Sequence, residues 1–387
     1  MEVLKYGMVG GGQGAFIGEV HRKAAAFDQK SQLVAGCFSR DYGNTQKTGA
    51  LLGLENDRLY RTFEEMARKE SQREDRIDYV VIVTPNATHF PAAKAFLEQG
   101  IHVVCDKPLT LTVEEAKTLR RLAQEKALLF CVTYTYSGYP MVIQAREMIQ
   151  QGKIGAIRMV MAEYPQEWLA QTIEQSGQKQ AAWRTDPELA GIANCLGDIG
   201  THIENTVSRM TGLSVKALSC VLDSFGSNRV LDDNASVHVV YEGGARGMYW
   251  ASQIAIGYEN GLKIRIFGEK GSIEWAQEDP NYVTVTYLGG PRQRFTRSSG
   301  YLDPSAARLC RIPTGHPEGY FEAFANIYTA FANALIKKKT GAVLGPQDLD
   351  FPCVEDGLQG VAFVHRCVES ARQGGTWVPF ESKEELL

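Results

Sequence analysis

The fold is decided by the run VGGGQGAFIG at residues 9–18, close to the N-terminus. An apolar segment over residues 6–9 leads into four glycines within five positions, and a helix-like segment over 19–27 follows. A second apolar segment then occupies residues 33–38. This order of strand, glycine turn, helix and strand predicts a βαβ unit.

The turn fits the dinucleotide-binding pattern G-x-G-x-x-G/A through Gly10, Gly12 and Ala15. We expect Gly10 to allow the tight turn, Gly12 to let backbone N–H groups approach a pyrophosphate, and Ala15 to let the helix lie close to the strand. The N-terminus of the helix would add partial positive charge. An ordinary glycine-rich turn is the alternative, and because Gly14 and Gly18 enrich the turn further, which amides would contact phosphate stays open. The candidate cofactor contacts here are Gly10, Gly12, Gln13, Gly14, Ala15, Phe16 and Ile17.

The end of the second strand bears on the choice between NAD and NADP. An Asp or Glu at this point would bond the ribose 2′-hydroxyl of NAD, but the chain has Ser39 and Arg40, with Asp41 one position later. An Arg can pair with a 2′-phosphate and stack on adenine. We therefore predict NAD(P)(H) as cofactor with a slight preference for NADP, with NAD binding through Asp41 as the alternative.

Length and composition define the class of protein. The 387 residues are too many for one ordinary core and suit two domains. An apolar content of 44% and a charged content of 22% are typical of soluble globular proteins. A net charge of −4 indicates no basic surface for nucleic acid, and no apolar run approaches the ~20 residues of a membrane span. Because no signal peptide precedes the first strand, we expect a cytoplasmic enzyme.

The eight cysteines are scattered and form no C-x-x-C pair. Several stand inside apolar runs, so we interpret them as small core residues in a reduced compartment. The sequence therefore favours neither a structural zinc site nor a disulfide scaffold, and we expect no metal.

Strand and helix patterns alternate through the first third of the chain. The clearest strand is at residues 79–83, which are all apolar and are bounded by charge and by a proline. Further strands near 101–105 and 128–132 complete a doubly wound parallel sheet, which binds ligands at the carboxyl ends of its strands. We interpret the charged stretch at 64–78 as a solvated helix face.

The pattern changes after residue 134. Longer alternating β-type runs, such as 157–164 and 215–223, indicate an antiparallel or mixed sheet. A polar stretch at 171–180 suggests an excursion or lid over a cleft, and helices near 319–338 and 355–372 follow.

The predicted fold class is therefore α/β, with an N-terminal Rossmann doubly wound parallel sheet and a C-terminal α/β domain. We expect a dinucleotide-binding domain at residues 1–134 and a substrate-binding and oligomerisation domain at residues 135–387. We expect that the C-terminal helix of the second domain can pack on the first domain.

The loop after residues 79–83 supplies three candidate cofactor contacts, Thr84, Pro85 and Asn86. Asn86 or Thr88 would also suit the cap of the next helix, and the two roles are compatible. We read His89 as a first-turn surface residue, although its place beside this loop keeps it among the candidate cofactor contacts.

The loop after the strand at 101–105 contains Asp106, Lys107 and Pro108. A lysine after a buried strand and before a proline presents an ammonium at the ligand-binding edge of the sheet. Its charge would favour a developing alkoxide. A solvated surface lysine is the alternative.

Asp198 and His202 are four residues apart, so a helix starting here places both on one face. A carboxylate beside an imidazole raises the pKa of the ring and selects its tautomer, as a general acid/base requires. The pattern is also frequent as a purely structural pair. A zinc site would need a third ligand, and none stands at a convincing spacing.

As a set, the glycine turn, Asp106-Lys107-Pro108 and Asp198-x-x-x-His202 resemble the Gfo/Idh/MocA family of nicotinamide-dependent oxidoreductases. The resemblance covers nearly the whole chain and includes Gly152-Lys153-Ile154-Gly155. It differs at position 106, where the family usually has Glu. The resemblance implies a Rossmann domain, a second domain with a large open sheet, and a homodimer or homotetramer.

The resemblance also implies reversible oxidation of a secondary hydroxyl on a sugar, glycoside or inositol, with Lys107, Asp198 and His202 as the catalytic group. Asp106 and Lys107 would also contact the cofactor. The candidate substrate contacts are Tyr134, Tyr164, Trp183, Arg184 and His316. Two alternatives keep the fold: glycosidic bond cleavage through transient oxidation by tightly held NAD, and a sugar-responsive regulator without turnover.

Overall fold

The computed structural model describes residues 3–381, which divide into two compact units. The first unit contains the chain up to Thr135 together with Tyr320–Leu358, and the second contains Tyr136–Gly319 with the chain from Gln359 onward. The α-helices are α1 Phe16–Phe27, α2 Tyr42–Leu51, α3 Phe63–Ser71, α4 His89–Glu98, α5 Val113–Glu125, α6 Pro140–Gln150, α7 Lys179–Arg184, α8 Pro187–Ala190, α9 Thr201–Thr211, α10 Pro304–Ala307, α11 Tyr320–Lys339 and α12 Val354–Arg372. The strands are β1 Leu4–Gly10, β2 Ser31–Cys37, β3 Tyr79–Val83, β4 His102–Cys105, β5 Phe130–Val132, β6 Ile157–Pro165, β7 Val215–Asp223, β8 Asn234–Tyr241, β9 Arg246–Ser252, β10 Lys263–Gly268, β11 Gly271–Ala276, β12 Tyr282–Tyr287, β13 Arg292–Thr296 and β14 Val378–Pro379.

The first unit is built on a parallel sheet with the strand order β2-β1-β3-β4-β5. Every residue of β3 is buried, because helices cover both faces of such a sheet and leave no side of the strand for polar residues. The strand order reverses direction next to β1, so the turn after β1 lies at the switch point where ligands bind. The predicted Rossmann fold is confirmed.

Helix α11 completes the core of the first unit although it lies almost two hundred residues beyond β5 in the sequence. Phe324, Tyr328 and Phe331 are buried against residues of β1 and β3. The ring of Phe331 lies 5.2 Å from that of Tyr79 in an edge-to-face arrangement. The first unit is therefore not contiguous in sequence, and residues 320–358 fold with it.

The second unit contains a mixed sheet with the order β13-β12-β11-β10-β6-β9-β8-β7-β14 over the described residues. The β6–β9 pair is parallel, while every other pair of neighbours is antiparallel. The mixed sheet was expected, but strands β11 to β13 were not predicted. Over residues 3–381, no helix is long and apolar enough to cross a membrane.

The charged stretch at 64–78 is only partly a solvated helix face. Glu70 of α3 is fully buried. Both of its carboxylate oxygens accept hydrogen bonds from Arg58, at 3.1 and 2.5 Å. The hydroxyl of Tyr60 also donates to Glu70, over 2.7 Å. A buried carboxylate is tolerated when it is paired in this way, and periodicity alone does not reveal the partner.

The polar stretch at 171–180 is held by an ion pair with a buried arginine. Glu174 accepts a bidentate pair of hydrogen bonds from Nε and Nη2 of Arg229, each over 3.1 Å, and the Arg229 side chain is buried. Arg229 also donates to Asp233, over 2.7 Å. A bidentate pair of this kind is among the stronger polar contacts in proteins.

Candidate functional site

The glycine turn between β1 and α1 is shaped by contacts between backbones. Gly10 has φ +84°, and a Cβ there would lie 2.9 Å from the carbonyl oxygen of Val83. A Cβ on Gly18 would lie 2.3 Å from the Cα of Gly11. The close approach of the helix, which we expected at Ala15, is thus made at Gly18, because α1 begins at Phe16 and Ala15 is only its N-cap residue.

The turn itself uses several of its N–H groups. Gln13 N–H donates to Asn44 Oδ1 and Thr48 Oγ1, each over 3.1 Å. The N–H groups of Gly12 and Ala15 donate to Phe38 and Gly12 carbonyl oxygens, respectively. Asn44 and Thr48 were not predicted to matter, and their only signal in the sequence is a four-residue helical spacing.

The first turn of α1 fits a pyrophosphate. The first N–H groups of a helix have no acceptor within the helix, and Ala15 has no side-chain oxygen to cap them. The N–H groups of Phe16, Ile17 and Gly18 therefore face the turn together with the positive end of the helix dipole. A Cβ on Gly12 would lie 2.7 Å from Asn44 Oδ1 and 3.0 Å from the carbonyl oxygen of Phe38, so a larger residue would push against the backbone after β2.

The end of β2 places Arg40 and Asp41 in different roles. The carboxylate of Asp41 caps α2 by accepting the N–H of Gly43 over 2.9 Å. Ser39 Oγ accepts the N–H of Asp41 over 3.1 Å. Arg40 is exposed at this edge of the sheet. The cap weighs against Asp41 as a partner for ribose.

Asp106 organises the loop that carries Lys107. Its Oδ1 accepts the N–H of Lys107 over 2.8 Å and the hydroxyl of Thr133 over 3.1 Å. Lys107 is the second residue after β4 and is half-buried. A carboxylate bonded to the next backbone N–H keeps this loop in one conformation.

His89 is not the surface residue that we expected. It is buried, with Nε2 2.9 Å from the carbonyl oxygen of Thr84 and Nδ1 2.8 Å from that of Pro108. Burial lowers the pKa of His89, and a neutral imidazole donates to one of these two carbonyls at a time. His89 thus joins the loop after β3 to the loop after β4.

In the same region, Asn86 is buried in a short 3₁₀ turn, Asn86–Thr88, that leads into α4. Thr88 is the N-cap residue of α4, but its hydroxyl makes no cap hydrogen bond within the described chain. The Thr88 side chain therefore does not have the helix-capping role that the sequence suggested.

His21, on α1, lies in a buried cluster. Its Nδ1 is 2.7 Å from the Tyr328 hydroxyl, its Nε2 is 3.8 Å from Asp106 Oδ2, and its ring packs edge-on against Phe324. Burial lowers the pKa of His21 to about 4, although Asp106 opposes this shift. The imidazole is therefore neutral at pH 7 and joins α1, α11 and the Asp106 loop.

In the second unit, Asp198 lies in a single π-helical turn, Leu196–Gly200, that continues directly into α9. His202 is the second residue of α9, so both residues lie on one continuous helical segment. Single π-turns within α-helices are frequent at functional sites. The sequence predicted a helix here but contained no signal for the wider turn.

The carboxylate of Asp198 combines a hydrogen bond from Gln253 with an ion pair to Arg184. Its Oδ2 accepts the Nε2–H of Gln253 over 2.9 Å and lies 3.3 Å from Nε of Arg184. The guanidinium of Arg184 lies 4.3 Å above the ring centre of Trp183 and 5.9 Å from that of Trp168. The structure thus brings Asp198, Arg184 and Trp183 together, and sequence reasoning missed Gln253.

The imidazole of His202 is buried among tyrosine rings. Tyr136 packs edge-on at a centroid distance of 4.7 Å, and Tyr164 lies at 6.3 Å. The Tyr136 and Tyr164 hydroxyls bond to each other, and Tyr164 donates to Asn260 Oδ1 over 2.6 Å. Tyr164 therefore supports the pocket around His202 with its ring and uses its hydroxyl within this network.

Two further candidate substrate contacts belong to other segments of the chain. Tyr134 belongs to the first unit and is buried, with 1% of its surface exposed. His316 is exposed on the loop after α10, where its carbonyl oxygen accepts a hydrogen bond from buried Arg297. Among residues 3–381, no cluster of three or more His, Cys, Asp or Glu side chains could hold a metal ion.

Comparison with known proteins identifies the family. A model of the oxidoreductase family's NAD-binding Rossmann fold matches residues 4–134, and the model of the GFO/IDH/MocA C-terminal domain matches residues 142–274. An uncharacterized oxidoreductase of Bacillus subtilis, YfiI, is 40% identical over 98% of this chain and 97% of its own. This chain belongs to the Gfo/Idh/MocA family. The first unit of this family member is thus an NAD-binding Rossmann domain, and the protein is an oxidoreductase.

Solved structures of the Gfo/Idh/MocA family agree with this assignment. An inositol dehydrogenase homologue from Azotobacter vinelandii complexed with NAD+ is 41% identical, with a TM-score of 0.94 over 98% of both chains. The structure of such a homologue from the same organism complexed with NADH and myo-inositol is 40% identical, with a TM-score of 0.92 over 98% of both chains.

Replacing Gly18 with Ala should weaken NAD+ binding and lower the thermal midpoint. The new Cβ would meet the Gly11 backbone, which cannot move aside as a side chain can, so α1 must shift away from the turn. Isothermal titration with NAD+ and thermal melting check this expectation. Gly300→Ala is the control, since its Cβ would meet nothing within 4 Å and its backbone is not left-handed. NAD+ affinity equal to that of the parent would contradict the proposed role of Gly18.

Protonation of His21 should destabilise the protein in mild acid. The folded pKa of His21, about 4, lies below the ordinary value of 6.5, so the unfolded chain binds the proton more tightly. The resulting stability is complete above pH 6.5 and is lost as the pH falls towards 4, by about 3 kcal/mol in all. Urea unfolding of His21→Gln should show a smaller loss between pH 7 and 4.5 than the parent. Exposed His238→Gln is the control, and parallel pH curves for the parent and the His21 variant would refute the assignment.

Proposed function

We propose that this oxidoreductase transfers hydride between NAD(P) and a secondary hydroxyl or ketone of a sugar, glycoside or inositol. The observation that carries the proposal is the cluster in the second unit, where Asp198 and His202 share one helical segment beside the Arg184–Trp183 stack. An aromatic face suits the C–H surface of a sugar ring, and a guanidinium suits hydroxyl oxygens. The family member crystallised with NADH and myo-inositol supports the same substrate class.

Three side chains carry the proposed chemistry. His202 acts as general acid/base on the reacting hydroxyl, and Asp198 orients its imidazole. For Lys107, in the first unit, the proposed role is to stabilise the negative charge that develops on the substrate oxygen. The nicotinamide, when bound, accepts or donates the hydride.

The surroundings of His202 suit this role. Its ring is buried between tyrosines, which exclude water from one side of the imidazole. The proton of the Tyr164 hydroxyl is committed to Asn260, and Gln166 donates to the same oxygen over 2.8 Å. The pocket wall is therefore ordered before any substrate arrives.

Replacing Lys107 or His202 with Ala should lower kcat by roughly 10²–10⁴, because each removes a group that handles the reacting proton or oxygen. NAD+ binding should persist. Initial rates with a panel of pyranosides, inositols and sugar acids, followed by absorbance of the reduced cofactor, measure the effect. Lys94→Ala, on the exposed surface of α4, and His238→Gln serve as controls.

The same substrate panel also distinguishes the proposed dehydrogenase from the two alternative functions. Net accumulation of reduced cofactor distinguishes a dehydrogenase from an enzyme that oxidises its substrate only transiently during glycosidic cleavage. An absence of turnover across the whole panel would favour a regulator. Full activity in both the Lys107 and His202 variants would overturn the proposal.

We also propose that Arg40 favours NADP, because Arg40 is exposed at the end of β2 while Asp41 is engaged as a helix cap. Arg40→Ala should lower kcat/KM for NADP+ relative to NAD+ by roughly tenfold to a hundredfold, since it removes a hydrogen bond to a charged group. Arg61→Ala is the matched control, an exposed arginine stacked on Tyr42 in the same unit. An unchanged ratio would place the selectivity elsewhere. The homodimer or homotetramer and the cytoplasmic location stay predictions.

A further inference from the structure

Gln253 follows β9 and is fully buried in the second unit. Its Nε2–H donates to Asp198 Oδ2 over 2.9 Å, and its Oε1 accepts the Nδ2–H of Asn194 over 2.9 Å. Asn194 is also buried, with 1% of its surface exposed. A buried amide is therefore inserted between Asp198 and Asn194, and nothing in the sequence pattern indicated it.

The direction of these hydrogen bonds is determined by a backbone atom. The side-chain Nδ2 of Asn194 donates to the carbonyl oxygen of Asp232 over 3.0 Å as well as to Gln253. A carbonyl oxygen can only accept, so the Asn194 amide cannot flip without placing oxygen against oxygen. Gln253 must then turn its oxygen towards Asn194 and its N–H towards Asp198.

The Asp232 side chain holds the other end of the same segment. Its two carboxylate oxygens accept the backbone N–H groups of Asn194 and Leu196, each over 2.7 Å. The backbone N–H of Gln253 donates to the carbonyl oxygen of Asp233 over 2.9 Å. The loop before β8, the end of β9 and the start of the π-turn are thus tied together around Asp198.

We propose that Gln253 is a positioning residue that holds the Asp198 carboxylate in its working orientation through the relay Asp232–Asn194–Gln253. The inference rests on the proposed function, in which Asp198 orients His202. Because Gln253 can present only an N–H, the relay favours Asp198 as an acceptor and restricts rotation of its side chain. Arg184, 3.3 Å from the same Oδ2, adds a second restraint from the side of the Trp183 stack.

A double-mutant cycle tests the relay. Gln253→Met keeps the size of the side chain but removes the donor, and should lower kcat by roughly tenfold to a hundredfold with little change in KM. In an Asp198→Asn background the same change should have almost no further effect, because Gln253 acts through Asp198. The probe is myo-inositol with NAD+, or the panel sugar with the highest kcat/KM.

Gln144→Met is the matched control. Gln144 is also buried in the second unit, and its Oε1 accepts the N–H of Asp303 over 2.8 Å. Its effect should be the same in the parent and in the Asp198→Asn background. Asn194→Asp should lower kcat as much as Gln253→Met does, although Gln253 is intact. An aspartate at this position has no N–H to donate to Gln253 Oε1.

A second cycle needs no substrate. Urea unfolding of the same Gln253→Met and Asp198→Asn variants should show non-additive losses of stability, whereas the Gln144→Met cycle should be additive. Additive losses at Gln253 and Asp198 in unfolding, or multiplying losses in kcat, would overturn the relay. If the Lys107 and His202 variants stay fully active, the proposed function fails, and the unfolding cycle still decides whether Gln253 and Asp198 are coupled.

Discussion

The contact between the backbones of Gly11 and Gly18 determines the geometry of the first unit. Because neither residue has a side chain, α1 packs directly against the end of β1 and aims its N-terminus into the turn. His21, three residues after Gly18, is placed by the same contact on the buried face of α1. A larger residue at position 11 or 18 would displace both the phosphate-binding end of α1 and its buried face.

The buried face of α1 extends this constraint to the loop that carries Lys107. His21 lies between Tyr328 of α11 and Asp106, and Asp106 binds the N–H of Lys107. A neutral imidazole suits this position, since a charged ring would carry a large desolvation cost. The aspartate that replaces the family's usual glutamate thus still has a definite task. The cofactor turn and the Lys107 loop are parts of one packed cluster.

The sequence was sufficient for what local patterns encode and insufficient for contacts between distant residues. The apolar run of β3 and the glycine turn predicted the Rossmann sheet, because burial on both faces imposes a continuous apolar strand. Gly18 was not recognised as the close-packing residue, since the turn is longer than the usual fingerprint. His89 and Glu70 were read as exposed because their buried partners lie on other elements. Gln253 is 55 residues from Asp198, and no spacing links them.

A polar relay beneath the site needs a physical reason, because apolar packing of equal volume is often as stable or more so. Asp232, Asn194 and Gln253 are all buried, and a partly satisfied network would be costly. An apolar core would let the Asp198 side chain adopt several rotamers. The Asn194 and Gln253 amides, by contrast, are oriented by the backbone carbonyl of Asp232, so their hydrogen bonds run in one direction towards Asp198. Burial raises the pKa of Asp232 to about 6, which is still below 7, so the carboxylate that holds this segment stays mostly ionised at neutral pH in spite of the desolvation cost. Such a cost is reasonable where orientation, rather than stability, is the property that the segment must provide.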